Sequence, residues 1–322
     1  MSRNEGIQCY NYVPAEDRVK GTDAPLNAVV ITSVRDVGAA DMNGQMIEVE
    51  GERVYMQGLL EAVIRDINAE REGIARAIRI VGVINDDCEL DEYRGRLGDF
   101  PTVPTAGRPW IHPMDLRDHR GELVTANTQN VPSDFRWLPR GAVDERAEQK
   151  LAFENRVERV AREMGADILV SDHLMLRIQN LLEQTRGWAG KIVNIHPAMT
   201  RADHPFALRG PTPTQDAIDR ANGFRRLRNG QTEQVERYGR TGATFHIVNP
   251  EIDAGMVLAD GELTPVYPGD GAQQLRHRNY PSKIAVFEAG IGHYAANIYP
   301  NLGYKGVDWL NGHRPTDTYN VF

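Results

Sequence analysis

The sequence predicts an α/β protein built on a mostly parallel sheet flanked by helices. Apolar, β-branched runs recur at residues 26–33, 77–85 and 191–195, as strands buried on both faces require. Between the first two lies 54–68, VYMQGLLEAVIRDIN, whose Met56, Leu59, Leu60, Val63, Ile64 and Ile67 recur at helical spacing. Strand, amphipathic helix and strand make a βαβ unit, whose crossover is expected to be right-handed.

The elements follow in order. Residues 1–25 read as an irregular or partly ordered extension, and LNAVVITS at 26–33 is the first strand. The stretch 86–141 carries charges, prolines and few apolar runs, as a loop-rich insertion does. Residues 142–164 space Leu151, Val157, Val160 and Met164 among charges, a surface helix with Gly165 at its C-terminal cap. A short strand at 167–170, a helix at 174–185 and a strand at 191–195 come next. Residues 213–222 form a helix with Thr212 or Thr214 as cap. TGATFHIVNP from 241 alternates and is followed by apolar 256–259, predicting an antiparallel pair added to the sheet. Residues 272–297 read as a helix that Pro281 bends or divides, and 302–322 as a Gly- and aromatic-containing tail. The organisation expected is an extension (1–25), a catalytic domain (26–260) with its insertion, and a C-terminal helix and tail (261–322).

Composition narrows the function classes. With 322 residues, 41% hydrophobic and 25% charged, the chain is long enough for a substantial core and ordinary for a globular protein. A net charge of -8 opposes general binding to a nucleic-acid backbone, which needs clustered Lys and Arg. Cys9 and Cys88 are too few and too far apart for a disulfide framework or a zinc spacing. The polar first 25 residues and a mean hydropathy of -0.48 leave no signal or membrane segment, so a cytoplasmic location is expected.

Three segments carry the chemistry: VNIHP at 193–197, FALRGPTPTQDAI at 206–218 and TGATFHIVNPEIDAG at 241–255. Asn194 and His196 alternate on one extended segment, so both side chains can face one pocket. Asn donates an N–H without titrating, His moves protons near neutral pH, and Asp253 can orient a His ring or relay a proton. Taken singly, each is more often a turn or loop residue. Asp172-His173 can also be read as a metal-ligand pair, but adjacent strand residues point to opposite faces, which favours a structural role and no metal.

In this order, after a βαβ unit, the segments resemble the folate-dependent formyltransferases, specifically across 167–259. The resemblance implies a Rossmann-like formyltransferase fold, 10-formyltetrahydrofolate as donor and an amine acceptor. It makes Asn194, His196 and Asp253 the catalytic groups, with Gly242, Thr244 and His246 preceding the Asp as family motif positions. It puts the donor's pterin against Leu174, Met175, Leu176, Arg177 and Ile178, and against Val248, Asn249 and Ile252. Leu174, Leu176 and Ile178 are equally well explained as core residues.

The loop after His196, PAMTRADHPFALRG, is longer than in many relatives and resembles that of hydroxyornithine transformylases of siderophore biosynthesis. There Arg201, Asp203 and Arg209 can recognise the carboxylate and ammonium of an amino-acid acceptor, or be solvated charges. Rival acceptors are a nucleotide-linked amino sugar and glycinamide ribonucleotide. A hydrolase of the same donor and a non-catalytic folate-binding module stay open, while TSVRDVGA at 32–39 lacks the spacing of a dinucleotide motif. The expected partners are thus small molecules, neither nucleic acid nor membrane, and a homodimer is allowed.

Overall fold

The computed structural model describes residues 5–10, 24–33, 45–86, 115–174, 177–227 and 229–305, with positions 13, 19, 43 and 113. Its strands are β1 (Ile7–Cys9), β2 (Leu26–Thr32), β3 (Gln45–Val49), β4 (Glu52–Met56), β5 (Ile78–Asn85), β6 (Thr128–Asn130), β7 (Ile168–Asp172), β8 (Ile192–His196), β9 (Phe224–Arg226), β10 (Thr232–Gln234), β11 (Arg240–Ile247) and β12 (Val257–Pro265). The helices are α1 (Leu59–Asn68), α2 (Val143–Glu163), α3 (Pro213–Ala221), α4 (Ala272–His293) and α5 (Tyr299–Lys305), besides single turns. Eight strands form one mixed, mostly parallel sheet in the order β1-β12-β11-β8-β7-β2-β5-β6. Backbone contacts divide the chain into two units, Ala24–Met46 with Tyr55–Val193, and Met1–Asp23 with Ile47–Val54 and Asn194–Phe322.

In the first of these, β2 lies parallel between β5 and β7, pairing Leu26 with Ile78 and Ala28 with Ile168. The βαβ unit expected from the apolar runs is present. Leu59, Leu60, Val63, Ile64 and Ile67 of α1 are buried, each contributing about 1.5–3 kcal/mol over an exposed position. The helix starts later than its periodicity predicts, because 54–56 belong to β4. Glu50 (φ 54°) and Gly51 (φ 83°) are both left-handed, the backbone of a tight hairpin turn between β3 and β4. Gly58 then stands at the helix N-cap.

The insertion also holds more order than expected: β6 pairs in parallel with β5, Val83 opposite Thr128. Residues 87–112 of that stretch lie outside the described residues. The helix expected at 174–185 is replaced by single turns at Asn180–Leu182 and Gln184–Arg186. The buried Glu154 carboxylate of α2 takes the N–H groups of Gln179 (3.2 Å) and Leu181 (3.0 Å), bonds that compete with helix formation there. Gly165 (φ 71°) ends α2 as expected.

In the second unit β11 and β12 are antiparallel, and β1, from the extension, adds to β12 with Ile7 opposite Gly261. α4 packs on both long strands, with Phe287 edge-on to Phe245 at 5.5 Å. Gly290 permits that approach, since a Cβ there would lie 2.4 Å from the Phe245 ring. This anchoring carries α4 unbroken through Pro281; the irregularity falls later, in the π turn Tyr294–Ile298. Thr212 stands at the N-cap of α3, but its hydroxyl donates to Asp216 Oδ2 (3.1 Å) rather than capping a backbone N–H. The tail from 306 lies outside the described residues. No helix is long and apolar enough to cross a membrane among the described residues.

Candidate active site

Four polar side chains of the second unit converge where β8, β11 and the β11–β12 turn meet. Asn194 and His196 alternate at the end of β8, and His246 lies near the end of β11. A β-bulge between Phe245 and His246 shifts the pairing with β12, the device by which sheets re-aim a side chain. Asp253 lies in the turn with φ 49°, a left-handed value that Asp and Asn adopt more readily than other non-glycine residues. Gly255 lets the turn close, since a Cβ there would lie 1.6 Å from the Ile247 carbonyl oxygen.

The hydrogen-bond partners fix tautomers. His246 Nδ1 lies 3.0 Å from the Ile247 carbonyl, which only accepts, so Nδ1 carries hydrogen and Nε2 is free to accept. The Asn194 carboxamide nitrogen, 3.1 Å from Nε2, supplies that hydrogen. This orients the Asn194 NH₂ and leaves its second hydrogen for a ligand. His196 Nε2 lies 2.9 Å from the Leu208 carbonyl and donates to it. His196 Nδ1 faces Asp253 Oδ2 at 3.3 Å, so the imidazolium form satisfies both neighbours.

Asp253 Oδ2 also accepts the Gly210 N–H at 2.9 Å, while Oδ1 lies 3.7 Å from His246 Nε2, beyond hydrogen-bond reach. Burial alone would raise the Asp253 carboxyl. The hydrogen bond and charge of the His196 ring and the Gly210 N–H outweigh it and hold the group well below the usual carboxylate range; His246, whose Nε2 carries no hydrogen, adds nothing to this. The site thus pairs a fixed negative charge with a neighbouring imidazole, beside an oriented amide donor.

The loop after β8 closes this group. Thr244 Oγ1 donates to the Ala198 carbonyl (2.8 Å) and accepts the Thr200 N–H (3.1 Å). Asn279 of α4 donates to the carbonyls of Pro197 (3.1 Å) and Gly242 (2.8 Å). Arg209 Nε holds the Thr200 carbonyl (2.8 Å), and the rest of its exposed guanidinium is open. Arg201 packs 5.2 Å over the Tyr10 ring, with Nε 2.9 Å from the exposed Asp203 and 3.6 Å from the buried Asp260.

Of the donor-side residues, Val248 and Asn249 are half-buried and Ile252 is 56% exposed on the Asp253 turn. In the other unit, Leu174 is half-buried, Arg177 exposed and Ile178 part of the core, and Met175 and Leu176 lie outside the described residues. Asp172 and His173 do not diverge as strand neighbours would. β7 ends at Asp172, and His173 turns left-handed (φ 59°), bringing Nε2 to 3.3 Å from Asp172 Oδ1. No cluster of three or more metal-ligand side chains occurs among the described residues.

Sequence reasoning named Asn194, His196 and Asp253, which the fold brings together. It treated His246 only as a motif position, although its place two residues after Thr244 on an alternating strand was a usable signal. The roles of the Leu208 carbonyl and the Gly210 N–H had no sequence signal.

No protein-family model matches the chain, and no curated protein matches it. Among solved structures it is similar to PvdF of pyoverdin biosynthesis, a structurally unique N10-formyltetrahydrofolate-dependent formyltransferase, at 33% identity over 84% of this chain and 99% of that one, with a TM-score of 0.73. It also matches a phosphoribosylglycinamide formyltransferase from Bacillus halodurans at 17% identity over 83% and 94% (TM-score 0.47). A formyltetrahydrofolate deformylase from Pseudomonas syringae pv. tomato matches at 15% over 84% and 61% (TM-score 0.47). These two likenesses carry no weight beside the first. On the extent of its similarity to PvdF, the chain belongs to the N10-formyltetrahydrofolate-dependent formyltransferases, enzymes that move a formyl group from that donor to an acceptor.

Proposed function

We propose that this enzyme formylates the side-chain hydroxylamine nitrogen of hydroxyornithine, a step of siderophore biosynthesis, with Asn194, His196 and Asp253 as catalytic residues. The observation that carries the acceptor is the 33% identity with PvdF of pyoverdin biosynthesis, extending over 99% of that chain. The long loop after His196 supports it: Arg209 offers an open fork for the acceptor's carboxylate, and the exposed Asp203 a partner for its ammonium.

When bound, the donor supplies an electrophilic formyl carbon attached to nitrogen. Asn194, its amide oriented by His246, donates its second N–H to the formyl oxygen as negative charge builds there, an effect of about 2.7–4 kcal/mol for a preorganised donor. His196 is held in place between the Leu208 carbonyl and Asp253, its ring beside the reacting carbon's approach to Asn194. Asp253 Oδ1, beyond hydrogen-bond reach of His246, accepts a hydrogen bond from the attacking nitrogen, directly or through water. So acidic a carboxylate orients and relays the proton rather than retaining it. The bond from acceptor nitrogen to formyl carbon forms, the donor's carbon–nitrogen bond breaks, and the proton lost by the former ends on the latter. On the donor side, the backbone of Val248 and Asn249 and the exposed Ile252 offer polar and apolar contacts beside Asp253.

The test is tetrahydrofolate release from 10-formyltetrahydrofolate with hydroxyornithine, ornithine, a nucleotide-linked amino sugar or no acceptor, in wild type and Asn194→Ala. Turnover confined to hydroxyornithine, and reduced about 100- to 1000-fold in the variant, is the expected result. Preference for another amine overturns the acceptor, and equal release without acceptor makes the enzyme a hydrolase.

A further inference from the structure

We propose that Arg201, with Tyr10 and Asp260, is a positioning device for the catalytic histidine rather than a contact for the acceptor. This deepens the proposed mechanism, on whose assignment of His196 it rests. Loop 200–210 has no helix or strand of its own, so side chains must hold its path. Arg201 Nη1 donates to the Tyr10 hydroxyl, which donates to Asp260 Oδ1 at 3.0 Å. Farther along, His204 Nε2 lies 3.2 Å from Glu262, and Phe206 stacks on Tyr238 at 3.8 Å, whose hydroxyl also bonds Glu262. Asp260 and Glu262 alternate on β12 and so share one face of the strand. The loop is thereby fastened to that face at two points.

Its far end carries the groups that hold the catalytic pair. The Leu208 carbonyl is the partner of His196 Nε2, and the Gly210 N–H a partner of Asp253. Arg209 ties this end back to Thr200, the neighbour of Arg201. A displacement at Arg201 therefore reaches the Leu208 carbonyl through a short, cross-braced segment. Arg201 is poorly placed to greet a ligand. Its guanidinium lies between Asp203 and Asp260 and over a phenol ring, and its side chain is 24% exposed. Asp260 is 4% exposed; burial pushes its carboxyl up, and the Arg201 charge is the main influence opposing that. Removing Arg201 alone leaves a buried carboxylate uncompensated, whereas removing both charges does not. Tyr10 follows β1 directly, so the N-terminal strand contributes to the geometry of a site formed from residues beyond 190.

The proposal predicts a pattern across Arg201→Gln, Arg201→Lys and the double variant Arg201→Gln/Asp260→Asn. Two acceptors are compared, hydroxyornithine and N-butylhydroxylamine, which keeps the nucleophile and lacks the carboxylate and ammonium. Arg201→Gln lowers kcat by on the order of 10- to 100-fold with both acceptors, leaves acceptor KM unchanged, and shifts the His196 ring resonance, assigned by its loss in His196→Asn. Arg201→Lys falls between, and the double variant restores both kcat and the resonance toward wild type. A rise in KM for hydroxyornithine alone, with no movement of the His196 resonance, makes Arg201 an acceptor contact and overturns the proposal. A double variant no better than Arg201→Gln overturns it as well. The resonance is read without any acceptor, so an incorrect acceptor assignment leaves this arm intact and is recognised by itself, as absence of wild-type turnover with hydroxyornithine.

Discussion

Replacing Asp253 by Asn tests the centre of the mechanism while disturbing the fold least. Asn is among the few residues that tolerate the left-handed backbone (φ 49°) held at this position. Its amide oxygen can take the place of Oδ2, keeping the Gly210 N–H and facing His196 Nδ1. What the substitution removes is the charge. When the His196 ring is protonated, the two unit charges 3.3 Å apart interact by about 5 kcal/mol at an effective dielectric constant of about 20, the upper limit of what removing the charge can cost. At about 1.4 kcal/mol per tenfold, that places a ceiling of about 4000-fold on the loss. Positioned acid–base groups contribute about 100- to 10,000-fold, so kcat is expected to fall by about 100- to 4000-fold, with donor KM nearly unchanged. Initial rates of tetrahydrofolate release at saturating donor and acceptor measure it. A variant within about threefold of wild type would refute the reasoning and reduce Asp253 to a turn former.

The same carboxylate makes stability pH-dependent. Its folded value is depressed below the unfolded one, so its stabilisation is present above about pH 4 and lost as pH falls through the folded value. Wild type should exceed Asp253→Asn by about 1–3 kcal/mol in urea unfolding at pH 7, with the gap narrowing below pH 4; a gap constant with pH contradicts this. Arg209→Ala should raise acceptor KM roughly 10- to 100-fold through the lost charge-assisted contact and also lower kcat, because the same side chain braces the loop at Thr200; an unchanged KM would place the carboxylate elsewhere. Gly255→Ala should cost about 3 kcal/mol or more, because its Cβ would fall 1.6 Å from a backbone oxygen that cannot swing aside. A thermal midpoint equal to wild type would show that the turn relaxes freely.

The sequence by itself determined the sheet's buried strands, the βαβ unit and the antiparallel β11–β12 pair, which depend on patterns local to a segment: continuous apolar runs and alternation. Asn194, His196 and Asp253 were picked out by the resemblance of three segments, in order, to the formyltransferases, local pattern adding only that Asn and His two apart on one strand share a face. Local pattern failed where distant partners decide the outcome. Residues 54–56 fit a helical period, yet two left-handed residues at 50–51 fold them into a hairpin. Residues 180–186 form single turns where Glu154, far off in the chain, claims the N–H groups of Gln179 and Leu181. Pro281 leaves α4 whole because the helix is packed along two strands. Only the tertiary structure could show that Arg201, read from the sequence as a contact for substrate, faces a buried carboxylate and a tyrosine from β1's end. It alone brings the Leu208 carbonyl to His196, because a backbone carbonyl carries no side-chain identity and its direction exists only once the loop is fastened.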